Sequence, residues 1–538
     1  MSADKPVNDV MPGGKPDAGF PLEEQQRLSR SILWEQQRRF FAAQGIDAWR
    51  KSIVPHYISS NTFIARSYSR VVSGFLRDCL AGGMITNPSQ PIYIVELGAG
   101  SGRFACHFLN AFQDSAERFR QEGLRARYVM TDFASRTLDY WKTHPFLKSF
   151  VERGRLAFAR FDAGQDSTIE IHGCRETLAP DTLKNPLVVL ANYFFDSIPQ
   201  DLFSIRNGEL HEQVISVFAQ NGVVDPDEPG LLDRIQIAFE GRPIRDDYYG
   251  ERELDELLQD YRCRLEDTFL LFPCAAIRCI RDLNRLCGGR MLLLAADQGY
   301  SSEEELAMQK EPVFNRHGSI SMMVNYDALG KFVARRGGQV SHPAHRPASL
   351  NVSCFLLGFP ANATPETLRA YEDAIARFGP DDFFTLKKGI EKMYETLSLP
   401  QILAYLRFSG GDAHLFLGVL PALLRLVDSC SAEEREDMRR VLRQVWENYY
   451  PIGEELDLAF QIGVLLYRAG LYCDALEFFR QSQRVYGPHA CTSYDMGMCH
   501  YMLGDRESAQ ACVNEARRLD PDCEEAPWNI SGEQASHG

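Results

Sequence analysis

Apolar residues in this chain follow two rhythms. Up to about residue 360, short apolar runs alternate with stretches of helical spacing, and from 361 only the helical spacing continues. Residues 21–45 carry helical spacing with heavy charge and predict an amphipathic helix. In residues 62–81 the apolar positions 63, 64, 68, 71, 72, 75, 76 and 80 repeat with a period near 3.6, which predicts a helix with one buried face. A strand follows from Ile92 to Val95, then Glu96, a glycine cluster, and a helix over 104–119. Further apolar runs end at Asp132, Asp162, Asn192 (run 187–191) and Asp297. Runs of this kind alternating with helices predict a doubly wound α/β sheet, mostly parallel. All five strand ends are polar or acidic, and an open α/β sheet takes its ligand at that edge.

The pattern also predicts an insertion over about 200–287. Alternating apolar residues flank Asn207-Gly208, a strong hairpin signal, and the part from Glu251 is mainly helical. Residues 348–359 alternate and predict a last strand. In the helical third, Gly463, Gly470, Tyr472, Ala475 and Phe479 are followed 34 residues later by Gly497, Gly504, Arg506, Ala509 and Val513, with Pro521 at the end. That period, with small residues where helices must approach, is the tetratricopeptide (TPR) pattern, over about 456–489 and 490–523. The expected organisation is an arm over 1–20, an α/β domain over 21–360 and an all-α, TPR-like domain over 361–538.

The glycine cluster narrows the chemistry. Residues 92–104 read IYIVELGAGSGRF, with Gly98, Gly100 and Gly102 after Glu96. A dinucleotide site wants G-x-G-x-x-G beside a pyrophosphate. Here Arg103 occupies the third glycine's place, and an acid before the first glycine repels a diphosphate. The same acid suits a cationic ligand without phosphate. S-adenosylmethionine (SAM), with its amino group and sulfonium, fits the pattern [acid]-x-G-x-G-x-G of class I methyltransferases. Glu96 is then expected to accept from the SAM amino group. Gly98, Ala99, Gly100 and Gly102 shape the loop, and Asp132 binds the ribose hydroxyls unless it serves as a helix N-cap. Asp162 accepts from the adenine amino group, with Phe133 or Phe161 against the ring. The methyl acceptor belongs near residues 192–196, where Asn192, Tyr193 and Asp196 are the candidate catalytic residues, to orient a nucleophile or remove its proton.

Composition bounds these readings. A hydrophobic content of 45% and a charged content of 24% are those of a globular protein. No apolar run is long enough for a membrane span, and the polar N-terminus lacks the marks of a signal peptide or presequence. The 14 cysteines are scattered, which suggests neither a disulfide framework nor a metal site and fits a cytoplasmic location. Net charge is −15, and residues 361–538 hold 28 acidic against 17 basic side chains, which argues against nucleic acid as a partner.

The order VELGAGSGR, ANYFFDSIP, a hairpin, AADQGY and HGSISMMVNYDAL (317–329) resembles the MidA-like SAM-dependent methyltransferases. That family includes a mitochondrial complex I assembly factor that methylates a protein arginine. The resemblance covers roughly residues 50–360 and implies a class I Rossmann-like sheet, SAM as cofactor, and Asn192 and Asp196 on the acceptor side. Two segments depart from it. Tyr193 stands where the family has Glu, and residues 319–326 lack the family's two acids and histidine. His317 is a substitute base or a structural histidine. Three functions stay open: a protein methyltransferase whose tail binds substrate or partner, a small-molecule methyltransferase, and a non-catalytic SAM-binding scaffold.

Overall fold

The computed structural model describes residues 19–220, 230–316, 318–454 and 456–521. The chain divides into two compact units, Met1–Thr385 and Leu386–Gly538. The first is built on a nine-stranded sheet. Seven of its strands are labelled here in chain order: β1 (Ile92–Leu97), β2 (Ala126–Asp132), β3 (Leu156–Arg160), β4 (Leu187–Asn192), β5 (Met291–Asp297), β6 (Gln339–Ser341) and β7 (Asn351–Leu357).

Their spatial order is β6-β7-β5-β4-β1-β2-β3, followed by the short strands Ile169–Ile171 and Thr177–Leu178. The central five run parallel, with Val95 opposite both Val129 and Val189. β7 is antiparallel to β5 and to β6. Every residue of β1 and β5 is buried, which is why both read as unbroken apolar runs rather than alternating ones. From β1 the chain steps outward to β2 and β3, then returns to β4 on the other side of β1. The connections leaving β1 and β4 therefore part, and a crevice opens where the strand order reverses.

The helices behave as their spacing predicts. Asn61 caps Thr62–Ala81, its side chain accepting from the Phe63 and Ile64 amides. Arg103–Gln121 starts directly after Gly102, which has left-handed backbone (φ +82°). The hairpin at Asn207-Gly208 pairs Asp201–Arg206 with Glu209–Ala219.

Four expectations need correction. Residues 21–45 are not one helix. Phe20–Gln26 is a strand paired with Glu209–Ala219, and the helix is confined to Ile32–Gln44, capped by Ser31. A partner almost two hundred residues away sets that extended conformation, and local spacing cannot register it. Second, the inserted hairpin does not stand alone. With Phe20–Gln26, Ile235–Pro243 and Thr268–Phe272 it forms a separate five-stranded sheet. Third, β3 ends at Arg160, leaving Asp162 in the following turn. Fourth, the last strand does not alternate. β7 is buried at all seven positions because it lies inside the sheet between β5 and the unforeseen β6.

The all-helical pattern starts at 361, yet the first unit runs to Thr385. The helix Pro365–Tyr371 packs on Thr62–Ala81, and the Asp78 carboxylate accepts from the Glu366 and Thr367 amides at 3.1 and 2.8 Å. The second unit contains the helix pairs Leu458–Arg468 with Tyr472–Tyr486 and Ala490–Met502 with Arg506–Leu519. The two pairs share their close contacts. A Cβ on Gly463 would lie 2.6 Å from Phe479, and one on Gly497 would lie 3.1 Å from Val513, the positions 34 residues on. Ala475 and Ala509 are both fully buried. Residues 1–18, 221–229, 317, 455 and 522–538 lie outside the described residues, and with them His317, nearly all of the arm and the end of the second repeat.

Candidate functional site

β1 delivers Glu96 to the crevice, and the loop behind it is shaped by backbone that side chains resist. Gly98 and Gly100 have φ of +61° and +52°. A Cβ at Gly98 would meet the Phe194 ring at 2.8 Å, and one at Gly100 would meet Trp49 at 2.7 Å. Both positions therefore need glycine on steric and on conformational grounds. Ala99 anchors the loop to β2, its amide donating to the Thr131 carbonyl at 2.9 Å. Trp141 Nε1 donates to the Gly100 carbonyl at 2.9 Å. The loop is a cradle into which backbone N–H groups and the start of Arg103–Gln121 open.

Glu96 is buried, and the Tyr128 hydroxyl donates to its Oε2 at 3.0 Å. Burial pushes its pKa up to about 8, with the Tyr128 hydrogen bond opposing and the nearby Asp132 charge adding to the rise. Asp132 ends β2 and accepts from the Ala134 amide at 2.9 Å. Burial raises it to about 6 against backbone hydrogen bonds from Ala134, Gly100 and Phe133. Asp132 is not the N-cap of the following helix Ser135–Thr143, a place taken by Ala134 without a side-chain bond; its bond to the Ala134 amide closes the turn before that helix.

Phe133 and Asp162 meet a segment in which no site was expected. The helix Ile32–Gln44 crosses the strand ends. Arg38 lies over the Phe133 ring, 5.0 Å from its centroid, and donates to both carboxylate oxygens of Asp162. Burial raises Asp162, but the Arg38 hydrogen bonds and charge outweigh it and hold the carboxyl below its usual range. Phe41 packs edge-on against Phe133 at 6.4 Å and stacks with Trp49 at 5.8 Å. Gln37 ties two further segments, donating to the Ser197 carbonyl and accepting from the Ile320 amide. Phe161, the other candidate for a ring partner, belongs to the hydrophobic core.

On the far side of the crevice, Asn192 ends β4 next to β1 and β5, with Ala191 opposite Leu97 and Ala295. Its Oδ1 accepts from the Tyr68 hydroxyl at 2.8 Å, and its buried Nδ2 has no hydrogen-bond partner among the described residues. Tyr193 has left-handed backbone (φ +47°), and its amide donates to the Ala296 carbonyl. A non-glycine residue held there is strained. Phe194 faces Gly98, whereas Phe195 is fully buried. Asp196 is buried and accepts from the Ser197 hydroxyl at 2.7 Å. Beside it lies Asp297, at the end of β5, which accepts from the Tyr326 hydroxyl at 2.9 Å.

The structure thus brings together two groups of the expected residues. Glu96, the glycine loop and Asp132 form one side; Asn192, Tyr193 and Asp196 form the other. Phe133 and Asp162 adjoin the first group at Asp132 and are engaged there by Arg38 of the helix Ile32–Gln44. Sequence reasoning missed Arg38, Trp49, Tyr68, Trp141 and Tyr326 as neighbours of the site, because they reach it from other segments, and Tyr128, because its bond to Glu96 crosses between two strands. Asp297 carried a signal, its place at a strand end.

Among the described residues no group of three or more His, Cys, Asp or Glu side chains is arranged to hold a metal ion, and no helix is long and apolar enough to cross a membrane. Residues 79–325 match a family model described as "Putative S-adenosyl-L-methionine-dependent methyltransferase". That span runs from before β1 to the residue before Tyr326 and contains both sides of the crevice. The protein is a SAM-dependent methyltransferase. The cofactor fits the residues present: a glycine cradle, a buried acid for a cationic group, and acids at neighbouring strand ends.

No curated protein matches the methyltransferase chain. Among solved structures, a methyl-transferase-type protein from Burkholderia thailandensis bound to S-adenosyl-homocysteine is 12% identical. That alignment covers 64% of this chain and 97% of that one, with a TM-score of 0.35. Magnesium protoporphyrin IX methyltransferase from Synechocystis PCC 6803, also with bound S-adenosyl-homocysteine, is 10% identical over 60% of this chain and 98% of its own, at a TM-score of 0.26. An O-methyltransferase family protein from Burkholderia thailandensis gives 8%, 61%, 63% and 0.26 in the same order. Scores this low add nothing to the assignment, which rests on the sequence match.

Proposed function

We propose that the methyltransferase acts on a protein side chain, with SAM held by Glu96, Gly98, Ala99, Gly100, Gly102, Asp132, Phe133 and Asp162. Asn192, Tyr193 and Asp196 handle the acceptor. When bound, SAM supplies an electrophilic methyl group on sulfur. Glu96 takes its ammonium group and Asp132 its ribose hydroxyls. Phe133 and Asp162 take the adenine, once Arg38 shares or yields its hold on Asp162. Asn192, fixed through Oδ1 by Tyr68, directs its amide Nδ2 at the acceptor. Asp196 receives the proton the acceptor must lose.

The observation that carries this reading is the convergence of two groups on one crevice: the Glu96 cradle and residues 192–196 lie at the ends of paired strands. The helical unit supports a macromolecular acceptor. Stacked helix pairs with equivalent small-residue contacts form extended binding surfaces in TPR arrays. We assign that unit to substrate or partner binding.

The test is incubation of the full chain with methyl-labelled SAM and cell lysate, followed by separation of protein from small molecules. Label in protein supports the reading. Label only in small molecules would replace it with small-molecule methylation, and a SAM-dependent shift in melting temperature with no label transferred would leave a SAM-binding scaffold.

A further inference from the structure

Asp297 has no role in the account so far, yet its surroundings are those of a group with a task. It ends β5 fully buried. One carboxylate oxygen accepts from the Tyr326 hydroxyl at 2.9 Å. The other, Oδ1, is buried and receives no donor among the described residues. The Asp196 carboxyl lies within hydrogen-bonding reach. Backbone bonds hold the two in place: Tyr193 N donates to Ala296 O at 2.8 Å, and Met322 N to Asp196 O at 3.1 Å.

We propose that Asp297 is a positioning residue for Asp196. The two carboxyls share a single proton, and Tyr326 fixes the Asp297 end of the pair. This rests on the reading that Asp196 receives the acceptor's proton.

The groups facing the pair are few. Tyr326 bonds Asp297 from the helix Tyr326–Arg335, Ser197 bonds Asp196 from the loop after β4, and Tyr68, bonded to Asn192, lies near enough to feel the Asp297 charge. Among the described residues, neither carboxyl forms an ion pair with a lysine or arginine, and no cation is among the main influences on either. Two adjacent buried carboxylates with no cation cannot both ionise, so one proton stays and belongs to the pair. Burial, then mutual repulsion, holds Asp297 above the carboxylate range, and burial raises Asp196. A shared proton also supplies the donor that Asp297 Oδ1 lacks. It leaves one negative charge, with its open end at Asp196. When the acceptor's bond to hydrogen breaks, the electron pair stays on the acceptor atom and the proton goes to Asp196. The pair then holds two protons and is neutral. Without Asp297, Asp196 would keep the burial that raises it and lose the shared hydrogen bond that stabilises its charge, so it would be protonated, and lost as a proton acceptor, at higher pH.

Infrared spectroscopy of the full-length protein tests this without any substrate. In Asp297→Asn, the pH 8 spectrum should lose one C=O stretch of a protonated carboxylic acid relative to wild type, while the Glu96 band is the same in both. An unchanged protonated-acid region would overturn the proposal. If that variant does not fold, Tyr326→Phe keeps the question open to test. Loss of its hydroxyl donor should shift the frequency of the shared-acid band, and an unmoved band would overturn the proposal. With labelled methyl transfer as readout, the acid limb of the kcat profile should move up in Asp297→Asn, because Asp196 keeps its burial and loses the hydrogen bond that stabilises its charge. A drop in kcat with an unmoved limb would mean Asp297 only supports the fold, and would also overturn the proposal. Wild-type protein that fails to bind SAM would sink the proposed function and leave the infrared result standing.

Discussion

Glu96→Gln is the sharpest test of the cofactor side, because burial pushes the pKa of the wild-type residue up to about 8. Only the carboxylate form can pair with the SAM ammonium. For a group of that pKa, about 1% is ionised at pH 6, about 10% at pH 7 and half at pH 8. Apparent affinity scales with the competent fraction, so SAM binding should tighten by roughly tenfold per pH unit between pH 6 and 7 and level off near 8. The ceiling is the worth of the charge-assisted hydrogen bond, about 1.5–3 kcal/mol or roughly 10- to 150-fold. Above about pH 8 the α-amino group of the ligand loses its own proton and affinity falls again. Glutamine keeps shape and hydrogen bonding but cannot ionise. The variant should therefore bind at least about tenfold more weakly than wild type at pH 8 and within about twofold at pH 6. Isothermal titration calorimetry with SAM, repeated in buffers of different ionisation enthalpy, measures the affinity and the proton released from Glu96. A wild-type Kd that is flat from pH 6 to 8, or a glutamine variant equal to wild type at pH 8, would refute the reasoning. The sign is fixed by linkage. The folded carboxyl lies above its unfolded value, so the stability it contributes is full below about pH 4 and lost as pH rises through about 8.

Three further substitutions probe the frame around the site. Gly98→Ala drives a Cβ to 2.8 Å from Phe194 at φ +61°, so it should cost about 1–2 kcal/mol and lower both the melting temperature and SAM affinity. Arg38→Ala removes the partner of buried Asp162. Because Arg38 is 38% exposed, the loss at neutral pH should be only about 1 kcal/mol. Asp162 has a depressed folded pKa, so the difference between wild type and Arg38→Ala should fade as pH falls below about 4, and urea unfolding at two pH values measures it. In the helical unit, Gly463→Leu collides with Phe479 and should destabilise that unit by about 1–3 kcal/mol, read as earlier loss of helical circular dichroism, while SAM affinity stays unchanged.

Much of the site was legible before the fold was known. The residues that spacing placed at strand ends, Glu96, Asp132, Asn192 and Asp297, do end or adjoin the ends of β1, β2, β4 and β5. Buried parallel strands must be apolar throughout, so each announces itself, and the first polar residue marks its end. The glycines were legible because positive φ and close approach leave no other residue.

The rest depended on long-range pairing. Nothing local in residues 20–26 says strand, because the partner is in the inserted hairpin. Nothing in residues 32–50 says site, because Arg38 and Trp49 gain meaning only against Asp162 and Gly100. The sequence by itself determined which strand ends could carry chemistry and the charge of the ligand they favour, since those follow from period and residue type. Tertiary structure alone decided how those ends are protonated, since burial and the distance between carboxyls, not residue type, set the proton affinity of Glu96, Asp196 and Asp297.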